Sequence, residues 1–451
     1  MKSTIEYVLT WLNARPEIEN LRAGVCDLNG LIRGKLIPVG QAKKALTGGL
    51  RIPLSCTSVD IWGNDVADST LVYESGDGDG ILEWTGRHIL PMEWLNQPSG
   101  LIPLWLRDES GKPFSADPRC ALASVLERYT AHGLKPVVAT ELEFYLLDAS
   151  QTRPVVPKSP LTGKPLAANA VYSIDELDQF DGFFSDVYSA CAEQGIPVDT
   201  ALAEGGTGQF EINLLHRDDA MRAADDAMLF RRIVKGMARK HQLCASFMAK
   251  PYPERAGNGL HIHFSLLNEQ GENIFDDGSD QGSQTLRYAV AGLLDAMAPS
   301  TLIFAPHLNS YRRLQPHTHA PSSACWGYEN RHAAIRIPGG SPVARRIEHR
   351  VAGADANPYL VLAAIMGAAL IGIEKKQLPD QPVVGDCFPE RTTQLPDDWR
   401  TAISVFEKSK ISSLIFSPLL CNLFASCKKQ EYATFARQIS DFEFATYLET
   451  I

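Results

Sequence analysis

Apolar and polar positions along the chain fall into two rhythms. Residues 137–147, 209–214, 260–267, 333–337 and 346–351 carry the alternation or short apolar runs of strands, whereas 181–194, 219–241, 283–298, 358–373 and 399–408 read as helices. An opening helix over 3–14 leads to short strands at 22–27 and 31–38, joined by the turn signal Asn29-Gly30. The run 74–83, ESGDGDGILE, is glycine- and acid-rich and predicts a surface loop. A second start lies at Asp117-Pro118, a helix cap followed by a first-turn proline; Leu122, Val125, Leu126 and Tyr129 then form one apolar stripe that Gly133 ends. The break near 107–116 divides the chain into 1–112 and 113–451. Residues 151–169 are proline-rich and predict an irregular excursion.

Composition narrows the classes. Lysine and arginine number 43 against 53 acidic residues, a formal net charge of −10, which lacks the basic stripe of a nucleic-acid-binding protein and leaves small molecules and sister subunits as partners. The uncharged stretch 359–373 is shorter than the ~20 residues of a membrane span and predicts a buried helix after Asn357-Pro358. Glu6 interrupts the segment where an export signal would be unbroken, so no such signal is visible. Nine cysteines form no C-x-x-C pair, and their odd number and wide spacing do not read as a disulfide framework; a reducing cytoplasm is expected.

The chemistry lies in short pairs. Glu141 and Glu143 stand two apart in a strand, so both carboxylates share one face, where two adjacent anions are costly unless a cation binds. His261 and His263 repeat that geometry with Ser265 next on the same face, after Gly257 and Gly259, which let backbone approach a ligand closely. Glu204, Glu211 and Glu348 add carboxylates; together with Glu141, Glu143 and His261 they form a set suited to hard divalent cations, which mostly serve phosphate chemistry. Arg313, Arg331, Arg336, Arg346 and Arg350 supply guanidinium forks that match phosphate and carboxylate oxygens. Arg346, Glu348 and Arg350 would share one strand face, whereas Arg312 and Arg345 read as surface salt-bridge formers.

The order of these segments carries more than any one of them. E-x-E-F, E-x6-E with Gly-Gln inside, G-x-G-x-H-x-H-x-S, N-S-Y-x-R-L, N-R-x-x-x-I-R-I-P, R-R-I-E-x-R and D-x-N-P-Y follow one another from about residue 20 to the C-terminus. In this the chain resembles the glutamine synthetase family, and its local features look most like the gamma-glutamylpolyamine (gamma-glutamylputrescine) synthetase branch. The resemblance implies an α+β fold with a small N-terminal β-grasp-like domain and a large catalytic domain, assembled as homo-oligomeric rings, two hexamers to a dodecamer.

It also implies an ATP-dependent ligation of glutamate to an amine through γ-glutamyl phosphate. Glu143, Glu204 and Glu211 would hold one Mg²⁺ or Mn²⁺ near glutamate, and Glu141, His261 and Glu348 another at the ATP phosphates. Gly257, Arg313 and Arg350, with Glu143, Glu204 and His261 close by, would bind glutamate. His263, Ser265 and Arg346 would bind ATP; Arg331 would stabilise the transferring phosphoryl group, with Arg336 a second candidate. Asp60 stands about where the family's N-terminal domain offers an acid to the neighbouring subunit's site, and a turn-capping aspartate is the equal alternative. The chain departs from the ammonia-using pattern at His319, which stands where a glutamate closes the ammonium pocket, and from the family's glycine entry at Ala256, which replaces an asparagine expected to contact glutamate. No tyrosine lies between Val361 and Glu431, so control by tyrosine adenylylation is not expected. A polyamine, putrescine foremost, is the favoured nucleophile; monoamines, ammonia, and a catalytically silent assembly or regulatory member are the alternatives.

Overall fold

The structure is a computed structural model that describes residues 4–167, 171–315, 318, 320–387 and 392–451. Six strands form the first sheet: β1 (Asn20–Cys26), β2 (Ile32–Pro38), β3 (Leu50–Pro53), β4 (Asp79–Trp84), β5 (Leu90–Pro91) and β6 (Ser99–Arg107). Their order is β2-β1-β6-β4-β3, with β5 on β6, and only β1 and β6 run parallel. The Asn29-Gly30 hairpin closes because Gly30 adopts φ 71° and the Asp27 carboxylate accepts from the Leu31 amide at 2.8 Å. One expectation fails here: residues 79–83 are not loop but most of β4, whose Leu82 is fully buried between β3 and β6. The turn chemistry sits just before it, at Gly76 and Asp77, both with positive φ.

The second sheet is built from β7 (Lys135–Asp148), β8 (Val198–Ala203), β9 (Gln209–Arg217), β10 (Leu243–Ser246) and β11 (Leu260–Leu267). Short strands follow: β12 (Ser323–Ala324), β13 (Trp326–Tyr328), β14 (Ile335–Ile337), β15 (Ile347–His349) and β16 (Thr393–Gln394), of which β12 and β16 pair only with each other. The large sheet runs β13-β14-β15-β11-β7-β9-β8, with β10 on the end of β7. Long β7 is its axis. Leu142, Phe144 and Leu146 face a buried layer in which Phe144 meets Phe183, Phe210 and Phe247 at ring distances of 5.6–6.3 Å, so Glu141 and Glu143 are forced to the other face.

Helices cover the apolar face. The Pro118–Ala131 helix starts as expected, with Asp117 accepting from the Arg119 and Cys120 amides, and the same carboxylate takes the Leu106 amide at 2.7 Å to lock the end of β6. The apolar helix Pro358–Lys375, capped by Asn357, is a core helix: 83% of its apolar window is buried inside the protein. It crosses helix Gln284–Phe304 so closely that a Cβ on Gly292 would lie 2.2 Å from the Ala368 carbonyl.

Two further features escaped the sequence reading. Helix Pro418–Ala436 clasps the first sheet: buried Lys428 donates to Asn29 and to Glu431, while the Ile61 amide donates to Glu431 at 2.8 Å. Cys325 and Cys387 are disulfide-bonded across a sequence separation of 62, which corrects the expectation of no crosslink; the other seven cysteines are free. Spacing could not reveal the pair because the approach of the two chains is tertiary. Arg345 is buried and donates to the Ser279 carbonyl at 3.2 Å instead of forming a surface ion pair.

The helix crossing gives a test. Gly292→Ala should lower unfolding stability by roughly 1–3 kcal/mol through overpacking, read as a shifted denaturation midpoint. Gly40→Ala, where nothing lies within 4 Å of the added carbon, should leave the midpoint unchanged.

Candidate active site

Strand register assembles the acids. Glu141 on β7 stands opposite His261 on β11 and Asn213 on β9; Glu143 stands opposite Glu211; and His263 stands opposite Glu348 on β15. Four adjacent strands thus bring residues from four distant parts of the chain onto one sheet face. Glu204 joins them from the loop after β8, where its backbone amide donates to the Gln209 carbonyl at 2.9 Å. Three groups have ligand atoms within 4.8 Å of one another: Glu143, Glu204 and Glu211; Glu141, Glu211 and His261; and Glu141, His263 and Glu348.

The hydrogen bonds fix how these side chains point. His261 Nδ1 lies 3.1 Å from one Glu141 oxygen and His263 Nε2 lies 2.8 Å from the other. Arg346 Nε donates to His263 Nδ1 at 3.3 Å, so that nitrogen is an acceptor and the ring's proton belongs on Nε2, toward Glu141. Glu348 receives Arg336 at 2.8 Å on one oxygen and Arg350 on the other. The Gly259 amide donates to Glu143 at 2.6 Å, and a Cβ on Gly259 would lie 2.8 Å from His261 Nε2, so glycine is needed at that approach.

Charge is uneven across the cluster. Burial pushes Glu211 up to about 10, reinforced by Glu141, Glu143 and Glu204. Burial raises Glu204 to about 7, with Glu143 adding to it. Glu348 goes the other way: burial opposes ionisation, but Arg350 and the two imidazoles outweigh it and hold the group at about 2. Glu141 is likewise held below the usual carboxylate range, burial being overcome by its bonds from His261 and His263. On the Glu204 and Glu211 side burial and the neighbouring carboxylates outweigh the influence of Arg331 and Arg350. Carboxylate oxygens and imidazoles in that arrangement fit hard divalent cations, and Glu348 still has lone pairs beyond those its arginines use.

Two cavities meet over the cluster. One, of ≈ 630 Å³, is lined by Val137, Ala139, His263, Ser265, Asn273 and Arg346, and the other, of ≈ 800 Å³, by all six predicted cation ligands together with Gly257, Arg313, Arg331, Arg336 and Arg350. Glu141 and Asn213 line both. The predicted ATP-binding residues thus lie in one cavity and the predicted glutamate-binding residues in the other. Arg346 is split from Glu348 and Arg350 by this division, because only Ile347–His349 is strand.

Other predicted residues behave differently. Arg331 is exposed and forms no hydrogen bond or ion pair with any described residue, so its charge is free for a ligand. Arg313 is buried, donating to the Val351 carbonyl at 2.7 Å and to the Arg350 carbonyl at 3.4 Å. Asp60 lines neither cavity: it accepts from the Trp62 and Asn64 amides at 3.1 and 2.8 Å and from Gln430 at 2.9 Å, as a turn-capping residue. His319 lies outside the described residues, while its neighbours Thr318 and Ala320 line the larger cavity.

Sequence reasoning missed the braces behind the site. Gln209 donates to the Gly257 carbonyl and to the Asn258 side chain, each at 3.0 Å, and accepts from the Gly206 amide at 2.9 Å, tying the Glu204 loop to the glycine entry. Tyr145 donates to the Ala256 carbonyl at 2.8 Å. Gly-Gln within E-x6-E was the only available signal. On the Arg331 side, Asn330 donates to the Val383 and Gly385 carbonyls at 3.0 and 2.8 Å, and the disulfide fastens the same stretch to β13.

This site agrees with what the chain is similar to. Residues 115–447 match the glutamine synthetase catalytic domain. The chain belongs to the glutamine synthetase family. It is 38% identical over 446 residues to the gamma-glutamylputrescine synthetase of Escherichia coli (strain K12), covering 97% of this chain and 93% of that one. It is 30% identical to a glutamate–isopropylamine ligase from a Pseudomonas species, over 96% of both chains. Among solved structures, a GmaS/ADP complex superposes with TM-score 0.84 at 28% identity, covering 99% of this chain and 100% of the other. The α+β architecture with an N-terminal sheet is that of the family, and membership makes this an ATP-dependent carbon–nitrogen ligase that uses divalent metal.

Two measurements test the electrostatics. Glu211 and Glu204 hold protons near pH 7 that a cation must displace, so Mg²⁺ or Mn²⁺ binding should release roughly one to two protons, seen by calorimetry in buffers of different ionisation enthalpy. The folded pKa of Glu211 lies above its ordinary value of 4.5, so the metal-free fold binds more protons than the unfolded chain. Its stability should therefore fall as pH rises from about 5 toward 10, and added cation should reverse the fall.

Proposed function

We propose that this protein joins the γ-carboxylate of glutamate to an amine, with a polyamine such as putrescine as the nucleophile. The observation that carries this reading is the pair of cavities meeting at Glu141, one lined by nucleotide-type and the other by carboxylate-type donors. A carboxylate is a poor electrophile, because oxide is a poor leaving group. In the proposed sequence the γ-carboxylate oxygen of glutamate attacks the γ-phosphorus of ATP and ADP departs. The amine nitrogen then attacks the acyl carbon of γ-glutamyl phosphate, phosphate leaves with the bonding electrons, and the nitrogen gives up a proton.

Residue roles follow from position. His263, Ser265 and Arg346 would hold the nucleotide, and Arg350 and the Gly257 loop would hold glutamate. Arg331, which forms no hydrogen bond or ion pair with any described residue, would meet the charge that develops on the transferring phosphoryl group. Arg336 would act through Glu348, which it already holds. Arg313 would buttress the Gly257 turn, since a Cβ on Gly257 would lie 2.9 Å from its Cγ. Glu143, Glu204 and Glu211 would hold one Mg²⁺ or Mn²⁺, and Glu141, Glu348 and the imidazoles another; such cations neutralise phosphate charge and polarise the oxygens that react.

Similarity to the gamma-glutamylputrescine synthetase supports the amine, as does His319, which stands in place of a glutamate of the ammonia-using pattern. We further propose a large ring-shaped homo-oligomer in the cytoplasm, with a division into domains at 112/113. The exposed apolar side chains of Phe442, Phe444, Leu448 and Ile451 support self-association.

ADP release with glutamate, ATP and Mg²⁺ should be fastest with a diamine when compared across ammonium, monoamines, putrescine and spermidine. Fastest turnover with ammonium would refute the amine assignment. Arg331→Ala should lower kcat by about 10²–10³-fold with little change in glutamate KM; an unchanged kcat would remove Arg331 from the phosphoryl-transfer role.

A further inference from the structure

An amine ligase must place its nucleophile beside glutamate, and a diamine brings a second, protonated nitrogen that also needs a partner. Among the described residues, the carboxylates lining the larger cavity are Glu141, Glu143, Glu204, Glu211, Glu348 and Glu254. Glu254 alone lies outside the predicted ligand set. It is exposed, sits on the loop between Pro253 and Arg255, and forms no hydrogen bond or ion pair with any described residue.

The cations around it are committed elsewhere. Lys250 Nζ donates to the Arg255 carbonyl, and its ammonium is influenced by Glu254 without closing an ion pair. Arg255 reaches the Thr207 carbonyl at 3.4 Å and stacks 4.3 Å over the Tyr252 ring, while His332 meets Asp386 at 3.1 Å. The cavity that Glu254 lines also carries apolar surface: Val171 is 50% and Tyr172 64% exposed, and Leu202 and Pro253 line it too. Apolar surface and a carboxylate unpaired among the described residues, in one cavity, suit an alkyl chain that ends in an ammonium.

We propose that Glu254 binds the distal ammonium of a diamine substrate while the methylene chain rests on Val171, Tyr172 and Pro253, and so sets the preference for diamines over monoamines. This rests on the ligase reading above. Glu254 acts only on the far nitrogen, so its removal should change selectivity rather than abolish ligation. A site built around a charged partner discriminates strongly against a substrate lacking it, whereas the alkyl wall treats both alike.

The test uses the full-length protein with glutamate, ATP and Mg²⁺, and compares kcat/KM for butane-1,4-diamine with that for butylamine. Wild-type protein should favour the diamine. In Glu254→Gln the ratio of diamine to monoamine kcat/KM should fall about 10–100-fold, and in Glu254→Lys further still, while Glu254→Asp should keep part of the preference. A ratio unchanged in both Gln and Lys variants, with turnover intact, overturns the assignment of Glu254 alone. Absence of ADP release with either amine in the wild-type protein overturns the ligase reading, and this inference with it.

Discussion

The constraint on which the rest depends is the gathering of five carboxylates on one face of the large sheet. Like charges in a partly desolvated place raise one another's pKa, and the effect is visible in Glu211 and Glu204, which burial and their neighbours push upward. Such a face is stable only if positive charge comes to it. Part is supplied by the protein through Arg336 and Arg350 on Glu348, while His261 and His263 hydrogen-bond the Glu141 oxygens. The remainder is left for cations, because burial and the neighbouring carboxylates outweigh the influence of Arg331 on Glu204 and of Arg350 on Glu211.

Everything around the cluster keeps it in register. Strand β7 cannot slip by one residue, because Leu142 and Phe144 would then leave their aromatic layer and the glutamates would enter it. Glycines at 257 and 259 permit the close approach of the entry loop, and Gln209 and Asn258 bind that loop to the one bearing Glu204. The distant D-x-N-P-Y motif is also structural: Asp355 accepts from Ser310 at 2.6 Å, Asn357 donates to the Asp27 carbonyl at 2.9 Å, and Tyr359 donates to Asp225 at 2.8 Å. Through Asn357 the turn of the first hairpin is pinned to the start of the core helix.

The two cavities divide the chemistry. Their common wall at Glu141 and Asn213 is where a nucleotide phosphate and a carboxylate would come together, and the free Arg331 faces the same space. Relatives of this chain bear the names of ligases for putrescine and for isopropylamine.

Much of this was legible in the chain because it rests on local rules. Period two put Glu141 with Glu143 and His261 with His263; Asp117-Pro118 and Asn357-Pro358 marked helix starts; and the Asn29-Gly30 turn made its hairpin. The ordered motifs then linked those segments to one family. Residues 79–83 were misread because glycine and acid content describes the turn before them, whereas the β4 strand exists only through pairing with β3 and β6. Sequence alone determined which chemical groups the protein owns and which face of each strand they occupy. Tertiary structure alone decided the cross-strand register that makes them one cluster, the division of Arg346 from Arg350 between cavities, and the disulfide. Each of those depends on contacts between residues far apart in the chain, and no local periodicity records them.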